Sequence, residues 1–575
     1  MLVSLTELAV QEHVGGRRRF LEPAAPPVIA AVLAALAAFA DLKGVDLPAA
    51  LYRVSLFQRH GLTLWDSQWY GGHWTLDYSV IFPPVAGILG IHLTEIACVT
   101  IAALAFDRLA VGVLGRSARV ASIAFALGTL VQVAIGQLPF LLGEALALAA
   151  VWALSRGHWR VAVLLGAATA LATPLAGAFL ALAATAWLVA EWPRRRSGLI
   201  GVLLAVTVPV LAMIVLFPGQ GAMPFPFAVW IYSLIVFVAG ALCIPARFRA
   251  VRIAAVLYIG AVVACYYIHT PVGGNIERLG QAFGPAILVL CLWPEWAGLV
   301  HDYRIGNAEG VRGPRVLTLS THGRLAAAAI VVVLLSVMQW EAAIGPIFSN
   351  RNDLSAKQSY FTPLLTWVKQ HPQPAGRVEI VPTRLHWEAA YAAPTLTLAR
   401  GWERQLDTAN NPIFYESNAL TPASYRAWLL DNGVRFVALP DASLDYAATA
   451  EGALLRAGVP GLREVWHDAH WRVFSVRGSP GIVSGDAVAV QLNNSHIDLK
   501  MTRAGTAHVR VRYSTRWVVA AGQACTAEDA GGWLRVQSAN AGRLRLELRL
   551  DGSSAEPCEA AVRPSPVGLR TGRPG

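Results

Sequence analysis

Lysine is almost missing from this chain. Lys43, Lys357, Lys369 and Lys500 are the only four among 47 basic residues. Charge of either sign is scarce too, at 14% of residues, where a soluble protein carries about 25%. That scarcity excludes a single soluble domain. With 55% hydrophobic residues it also excludes disorder, which needs high charge and low hydrophobicity. No CxxC pair, zinc-ligand spacing, Walker A loop, GxGxxG leading into a helix or GxSxG elbow occurs, so ATP-driven transport and soluble-type nucleotide binding have no motif behind them. Cysteine is sparse, six in 575 residues. Cys98, Cys243, Cys265 and Cys291 fall in or beside apolar runs, where a thiol fills space as a small apolar group.

What is abundant is apolar sequence, with a mean hydropathy of +0.48. Eleven stretches near 24–41, 80–106, 119–135, 138–155, 160–173, 175–191, 198–216, 226–245, 250–268, 279–293 and 325–342 approach the length that spans a bilayer. The expected fold is therefore a membrane α-helical bundle of about 11 transmembrane helices. The net charge of +11 would suggest nucleic acid only if it formed one patch. Instead the arginines mark span ends. Arg17, Arg18 and Arg19 precede the first span. Alternate ends then carry Arg108, Arg116, Arg119, Arg156, Arg160, Arg194, Arg195, Arg196, Arg247, Arg249, Arg252, Arg304, Arg312, Arg315 and Arg324, against Lys43, Arg53, Arg59 and Arg278 on the opposite side. The positive-inside rule then predicts the N-terminus in the cytoplasm and everything after about residue 343 outside. No nucleic-acid partner is expected. The late, long first apolar run is not that of a cleaved signal peptide.

This reading divides the chain into a cytoplasmic segment 1–23, a polytopic region 24–343 with a first outer loop at 42–79, an extracytoplasmic α/β domain at 344–480, a β-rich, sandwich-like domain at 481–560 and a loose tail at 561–575. Strand patterns at 378–381, 434–439 and 471–476 alternate with helical ones at 360–369, 423–430 and 446–455, Thr421 being placed to cap the second helix. Short alternating runs at 507–513, 533–537 and 544–550 predict the β part. Cys525 and Cys558 are the two cysteines of the exported tail and the candidate disulfide.

Candidate chemistry concentrates in the first outer loop. Asp41 closes the first span, and Trp65, Asp66, Trp69, Tyr70, Gly71, Gly72, His73 and Trp74 follow. Aromatic rings stack on sugar faces or brace a loop on lipid, and a carboxylate takes the proton of a hydroxyl nucleophile. Glu95 and Glu144 fall inside spans, where an ionisable group is costly. His269, Asn275 and Arg278 sit between two later spans. The arginine fork suits a lipid phosphate, or a pairing with Glu277, Glu144 or an Asp of the first loop. In the tail, Trp402 and Arg404 lie in a polar stretch suited to a glycan, or to a salt-bridged turn that docks the tail on the spans.

The layout resembles the GT-C type of polytopic glycosyltransferase. The pieces that carry the resemblance are Asp41, Trp65-Asp66-x-x-Trp69-Tyr70-Gly71-Gly72, Phe82-Pro83-Pro84, Leu142-Gly143-Glu144-Ala145, Ala172-Thr173-Pro174-Leu175 and Pro271-x-Gly273-Gly274-Asn275-x-x-Arg278-Leu279. The tail segments Arg400–Asp407, Asn411–Tyr415 and Trp428-Leu429 are similar to those of actinobacterial-type membrane proteins with an extracytoplasmic C-terminal domain. The resemblance implies an inverting enzyme that moves a sugar from a polyprenyl-phosphate donor to an envelope glycan or glycolipid acceptor at the outer face of the cytoplasmic membrane. It implies Asp41 or Asp66 as the base and Arg278 as the counter-charge for the leaving phosphate. It leaves a divalent metal possible, since the paired-acid motif that binds metal in some of these enzymes is not evident. The competing class is a non-enzymatic transporter or scaffold for envelope lipids or glycans; internal repeats that would mark a transporter are not evident.

Overall fold

The computed structural model describes residues 25–192, 196–219, 221–308, 319–371, 375–551 and 558. The segment 1–23 with Arg17, Arg18 and Arg19, the pair Arg194 and Arg195, the stretch holding Arg312 and Arg315, and the tail 561–575 lie outside the described residues.

The bundle comprises α1 (Ala25–Phe39), the short α2 (Leu47–His60) and α3 (Phe82–Leu89), then α4 (Ile91–Leu114), α5 (Arg119–Ile135), α6 (Leu138–Ser155), α7 (Trp159–Ala172), α8 (Pro174–Ala190), α9 (Arg196–Leu216), α10 (Phe227–Cys243), α11 (Arg249–Tyr267), α12 (Glu277–Ala308) and α13 (Leu319–Phe348). Among the described residues, six segments are long and apolar enough to cross a membrane: Ile91–Ile135, Leu138–Ser155, Arg196–Leu216, Arg249–Tyr267, Gly273–Ala297 and Gly323–Asn352. The count is smaller than the eleven expected, for two reasons. Ile91–Ile135 is one 45-residue helical stretch, divided into α4 and α5 by a 3-10 turn at Gly115–Ala118. The apolar helices α1, α7, α8 and α10 fall in the 10–17-residue class. Thr173 and Pro174 set the lengths of two of them, because proline cannot continue a helix but is favoured in its first turn. Small residues let the helices approach closely. Ala30, Ala34 and Ala37 of α1 pack with Val99, Ala102 and Phe106 of α4 and with Phe125 and Ala126 of α5.

After α13 the chain builds an α/β unit. Helix α14 (Gln358–Gln370) precedes a four-stranded sheet of order β3-β4-β6-β5, formed by Arg377–Ile380, Val434–Pro440, Trp471–Val476 and Leu462–His467. Strands β3 and β4 are parallel and the other pairs antiparallel. Thr421 caps the Pro422–Asp431 helix in a reciprocal box with Ser424. Eight more strands follow, β7 (Val483–Gly485), β8 (Ala487–Leu492), β9 (His496–Met501), β10 (Gly505–Arg512), β11 (Trp517–Ala521), β12 (Cys525–Glu528), β13 (Trp533–Ser538) and β14 (Gly542–Leu548), in two four-stranded antiparallel sheets of order β12-β13-β10-β7 and β11-β14-β9-β8. Their inward residues, among them Leu499, Val509, Trp517, Leu534 and Leu546, share one core, as in a sandwich. Cys525 and Cys558 are disulfide-bonded.

The membrane and tail regions are joined by the first loop. Between α2 and α3 it forms a two-stranded hairpin, β1 (Trp65–Asp66) and β2 (His73–Trp74). Tyr70, Gly71 and Gly72 all take positive φ at its tip. A Cβ on Gly72 would fall 2.3 Å from the Trp65 ring, so the glycine is needed both for the turn and for the close approach.

Candidate functional site

Two polar assemblies meet at the tail end of the bundle. The first is the hairpin, and it is buried. Trp69 lies flat against Tyr52, ring centroids 4.3 Å apart, and against His73 on a parallel plane. Trp65 and Trp74 enter the core of the β-sandwich beside Trp517. Tyr70 receives the Glu403 N–H at 2.9 Å and donates to the Glu403 carbonyl. Arg53 of α2 pairs with the Glu403 carboxylate, both side chains being buried, and lies over the Tyr78 ring at 4.0 Å. Asp66 is 0% exposed. It accepts from the Tyr52 hydroxyl at 2.8 Å and from the Gln68 N–H at 3.1 Å. Burial nonetheless raises its pKa to about 6, and burial with the nearby Arg53 lowers His73 to about 3. An acceptor hydroxyl has no open path to Asp66 in this packing. The expected role of the hairpin as an open sugar platform therefore gives way to a docking role.

Trp402 and Arg404 belong to the same hub. The Trp402 indole N–H donates to the Val45 carbonyl at 2.6 Å. Its ring is stacked on His386 at 3.6 Å and lies 4.9 Å from the Arg404 guanidinium on a ring face. Arg404 is bidentate to Asp445. These contacts realise the docking alternative rather than an open glycan contact.

The second assembly is sparse. Arg278, at the start of α12, meets Asp46 at 3.2 Å, and Asp46 is anchored by its N–H on the Ile135 carbonyl. The guanidinium also lies 5.8 Å from the Phe140 ring centroid. Phe140 lines a cavity of about 460 Å3 inside the bundle. One turn on, Glu144 lines the same cavity. Gln132 donates to one of its carboxylate oxygens at 2.6 Å, and the other oxygen is buried without a partner. Among the described lining residues Glu144 is the one carboxylate, and the rest of the wall is almost wholly apolar. The lining on α6 runs from Phe140 to Leu154, about 21 Å of helix at 1.5 Å per residue. An apolar volume of this kind takes a hydrocarbon chain, and the Arg278–Asp46 pair beside Phe140, at one end of that lining, suits a charged headgroup.

The remaining expected residues, Asp41, Glu95, His269 and Asn275, do not line the cavity. Asp41, at φ 49, is 72% exposed and paired with Lys43 at 2.8 Å. Glu95 is buried on α4, 3.2 Å from His92. His269 is exposed, and Asn275 is half-buried in the Gly273–Ile276 turn. The Arg278–Asp46 pair is the expected pairing of Arg278 with an Asp of the first loop; the sequence does not say which Asp, because Asp46 reads as an ordinary acid before Leu47-Pro48. Among the described residues no group of three or more His, Cys, Asp or Glu side chains is placed to hold a metal ion. Compared with known proteins, the chain matches no protein-family model and no curated relative.

Proposed function

We propose that this protein is an integral membrane glycosyltransferase of the GT-C type. It takes a sugar from a polyprenyl-phosphate donor and passes it, with inversion, to an envelope glycan or glycolipid acceptor at the outer face of the cytoplasmic membrane. In this reading all eleven apolar helices span or re-enter the bilayer, the N-terminus is cytoplasmic, and the α/β and β domains are extracytoplasmic. The observation that carries it is the apolar cavity lined by Phe140 and Glu144, with the Arg278–Asp46 pair beside Phe140.

The lipid chain occupies the cavity and its phosphate meets Arg278. Asp46, released from that pair by the arriving phosphate, takes the proton of the acceptor hydroxyl as the new bond to the anomeric carbon forms. The bond from that carbon to the phosphate oxygen breaks, and Arg278 offsets the charge left on the lipid phosphate. Asp41 stands on the same connecting segment as the alternative base. A lipid carrier would also use a deep cavity, and the 21 Å of lining favours that reading as the second one. Its headgroup would then have to pass an apolar wall with a single carboxylate, which is costly.

The test is transfer from a radiolabelled polyprenyl-phosphate sugar by protein in nanodiscs. Arg278→Ala and Asp46→Asn each lower the rate by about 100-fold or more, whereas Asp66→Asn affects stability first. Full activity in both Arg278→Ala and Asp46→Asn removes the assignment. Movement of a fluorescent lipid across liposomes without any transfer favours the carrier.

A further inference from the structure

One open groove lies on the α/β domain, away from the mouth. It measures about 470 Å3, within the roughly 300–1,000 Å3 of small-molecule sites. Helix α14 supplies Ser359, Thr362, Thr366 and Gln370 on one stripe at helical spacing, together with Trp367; Trp466 faces them from β5, the edge strand of the sheet. The two indoles are stacked, centroids 5.7 Å apart and planes 23° apart. His371 lies on Trp367 as well, at 4.4 Å. Trp367 is thus braced by rings, and Trp466, half-buried beside a register shift in β5, is the indole at the open end of the stack.

The lining is chemically specific. No charged side chain takes part. The Thr362 and Thr366 hydroxyls donate to helix carbonyls one turn back, which leaves their oxygen lone pairs as acceptors for a ligand. The Gln370 amide is exposed and both donates and accepts. An aromatic face beside a row of neutral hydrogen-bonding groups matches a sugar ring, whose C–H face is apolar and whose rim is hydroxyl. The absence of charge in the lining matches an uncharged one.

The groove is also tied to the membrane mouth. The far face of α14, through Tyr360, Phe361 and Leu364, belongs to the same core as Tyr52 and Trp69 of the first loop. Just before the helix, Tyr391 holds the Ala356 carbonyl and Asn350 holds the Lys43 carbonyl. From that end the 13-residue helix extends about 20 Å.

We propose that the Trp367–Trp466 groove binds a neutral oligosaccharide. Calling that oligosaccharide the acceptor rests on the transferase reading; the binding itself does not. The experiment uses the full-length protein in nanodiscs and four probes, the linear hexamers of glucose, mannose, galactose and arabinose, titrated by saturation-transfer NMR. At least one binds with a millimolar or tighter Kd. Trp466→Ala weakens it at least about ten-fold, and Trp466→Phe restores part of the loss. Thr362→Arg, on the exposed helix face and away from the core, has the same effect by placing bulk and charge in the groove. Binding of none of the four hexamers, or binding unchanged in folded Trp466→Ala or Thr362→Arg protein, overturns the proposal. Groove binding without any sugar transfer leaves it standing and sinks the transferase reading, whereas transfer by a protein that binds no hexamer does the reverse.

Discussion

The hairpin hub and the bundle cavity use polar residues in opposite ways. The hub crowds Tyr52, Arg53, Asp66, Trp69, Tyr70, His73 and Glu403 into a buried volume where nearly every charge has a partner. The cavity offers long apolar walls, one carboxylate with an unpartnered oxygen, and a partly exposed ion pair beside its lining residue Phe140. Dense constellations of aromatics and acids are therefore the adhesive that fixes the tail to the bundle. In the proposed function, the Glu144 carboxylate and the Arg278–Asp46 pair are the groups a ligand meets. A buried polar network is useful to a fold when it is closed, and an open valence in an apolar wall is useful to a substrate.

The largest expected effect breaks the hub. Arg53→Ala leaves the buried Glu403 carboxylate without its cation, at a cost of about 3–5 kcal/mol. The thermal midpoint falls and the 61–78 loop becomes cleavable by added protease. Replacing both partners together by leucine costs less than either single change, because no buried charge is then left alone. A loss below about 1 kcal/mol in the single variant would show that the hub is not what holds the two regions together.

Glu144→Leu probes the opposite pole. The side chain is 3% exposed and only half satisfied, so an apolar replacement leaves the midpoint nearly unchanged, with about 1 kcal/mol lost at Gln132. Transfer from the lipid-linked sugar falls about ten-fold or more, while Glu144→Gln retains part of it. A variant that loses stability but keeps activity would place Glu144 with the structural groups.

These two behaviours were unequally legible beforehand. The apolar helices, the Thr421 cap and the strand at Trp471–Val476 follow from local patterns of period 3.6 or 2 and from capping chemistry. The β1–β2 hairpin has strands of two residues, too short for any alternation to register. The roles of the aromatics were hidden for a different reason. Trp69 and Trp402 sit in polar sequence, and only the fold supplies the partners, Tyr52 and Val45, that bury them. Arg53 reads as one more outer-side base, and its partner is 350 residues away in sequence. Asp46 is the mirror case: a first-loop Asp is one of the partners expected for Arg278, and only the delivery of Arg278 by α12 shows that it is this one.

A smaller change separates packing from hydrogen bonding in the latch between tail and loop. Trp402→Phe keeps a ring against His386 but removes the donor to Val45. The expected loss is about 1 kcal/mol, seen as faster hydrogen exchange in residues 42–47 rather than as unfolding. Unchanged exchange there would mean that the stack alone positions the segment.

The last effect is a pH dependence of the hub. His386 is buried against Trp402, with Glu388 and Asp445 each 3.2 Å from a ring nitrogen, and Arg404 shares the same Asp445 oxygen at 2.7 Å. Burial alone would lower its pKa, but hydrogen bonds and charge from Asp445 and Glu388 outweigh it, and the value is raised above 6.5. A raised base stabilises the fold fully below pH 6.5, and this contribution drains away as pH rises through the folded-state pKa, by at most about 1.4 kcal/mol for each pH unit crossed. Burial raises Asp66 to about 6 and Glu451 to about 7, so these acids also favour the protonated fold, and their contribution is lost as pH rises toward neutrality. Comparison with His386→Gln, which does not titrate, isolates the histidine. The wild-type midpoint falls relative to the variant as pH rises from 6.5 to 9. Parallel midpoints across that range would mean that His386 stays neutral and holds Trp402 by ring contact alone.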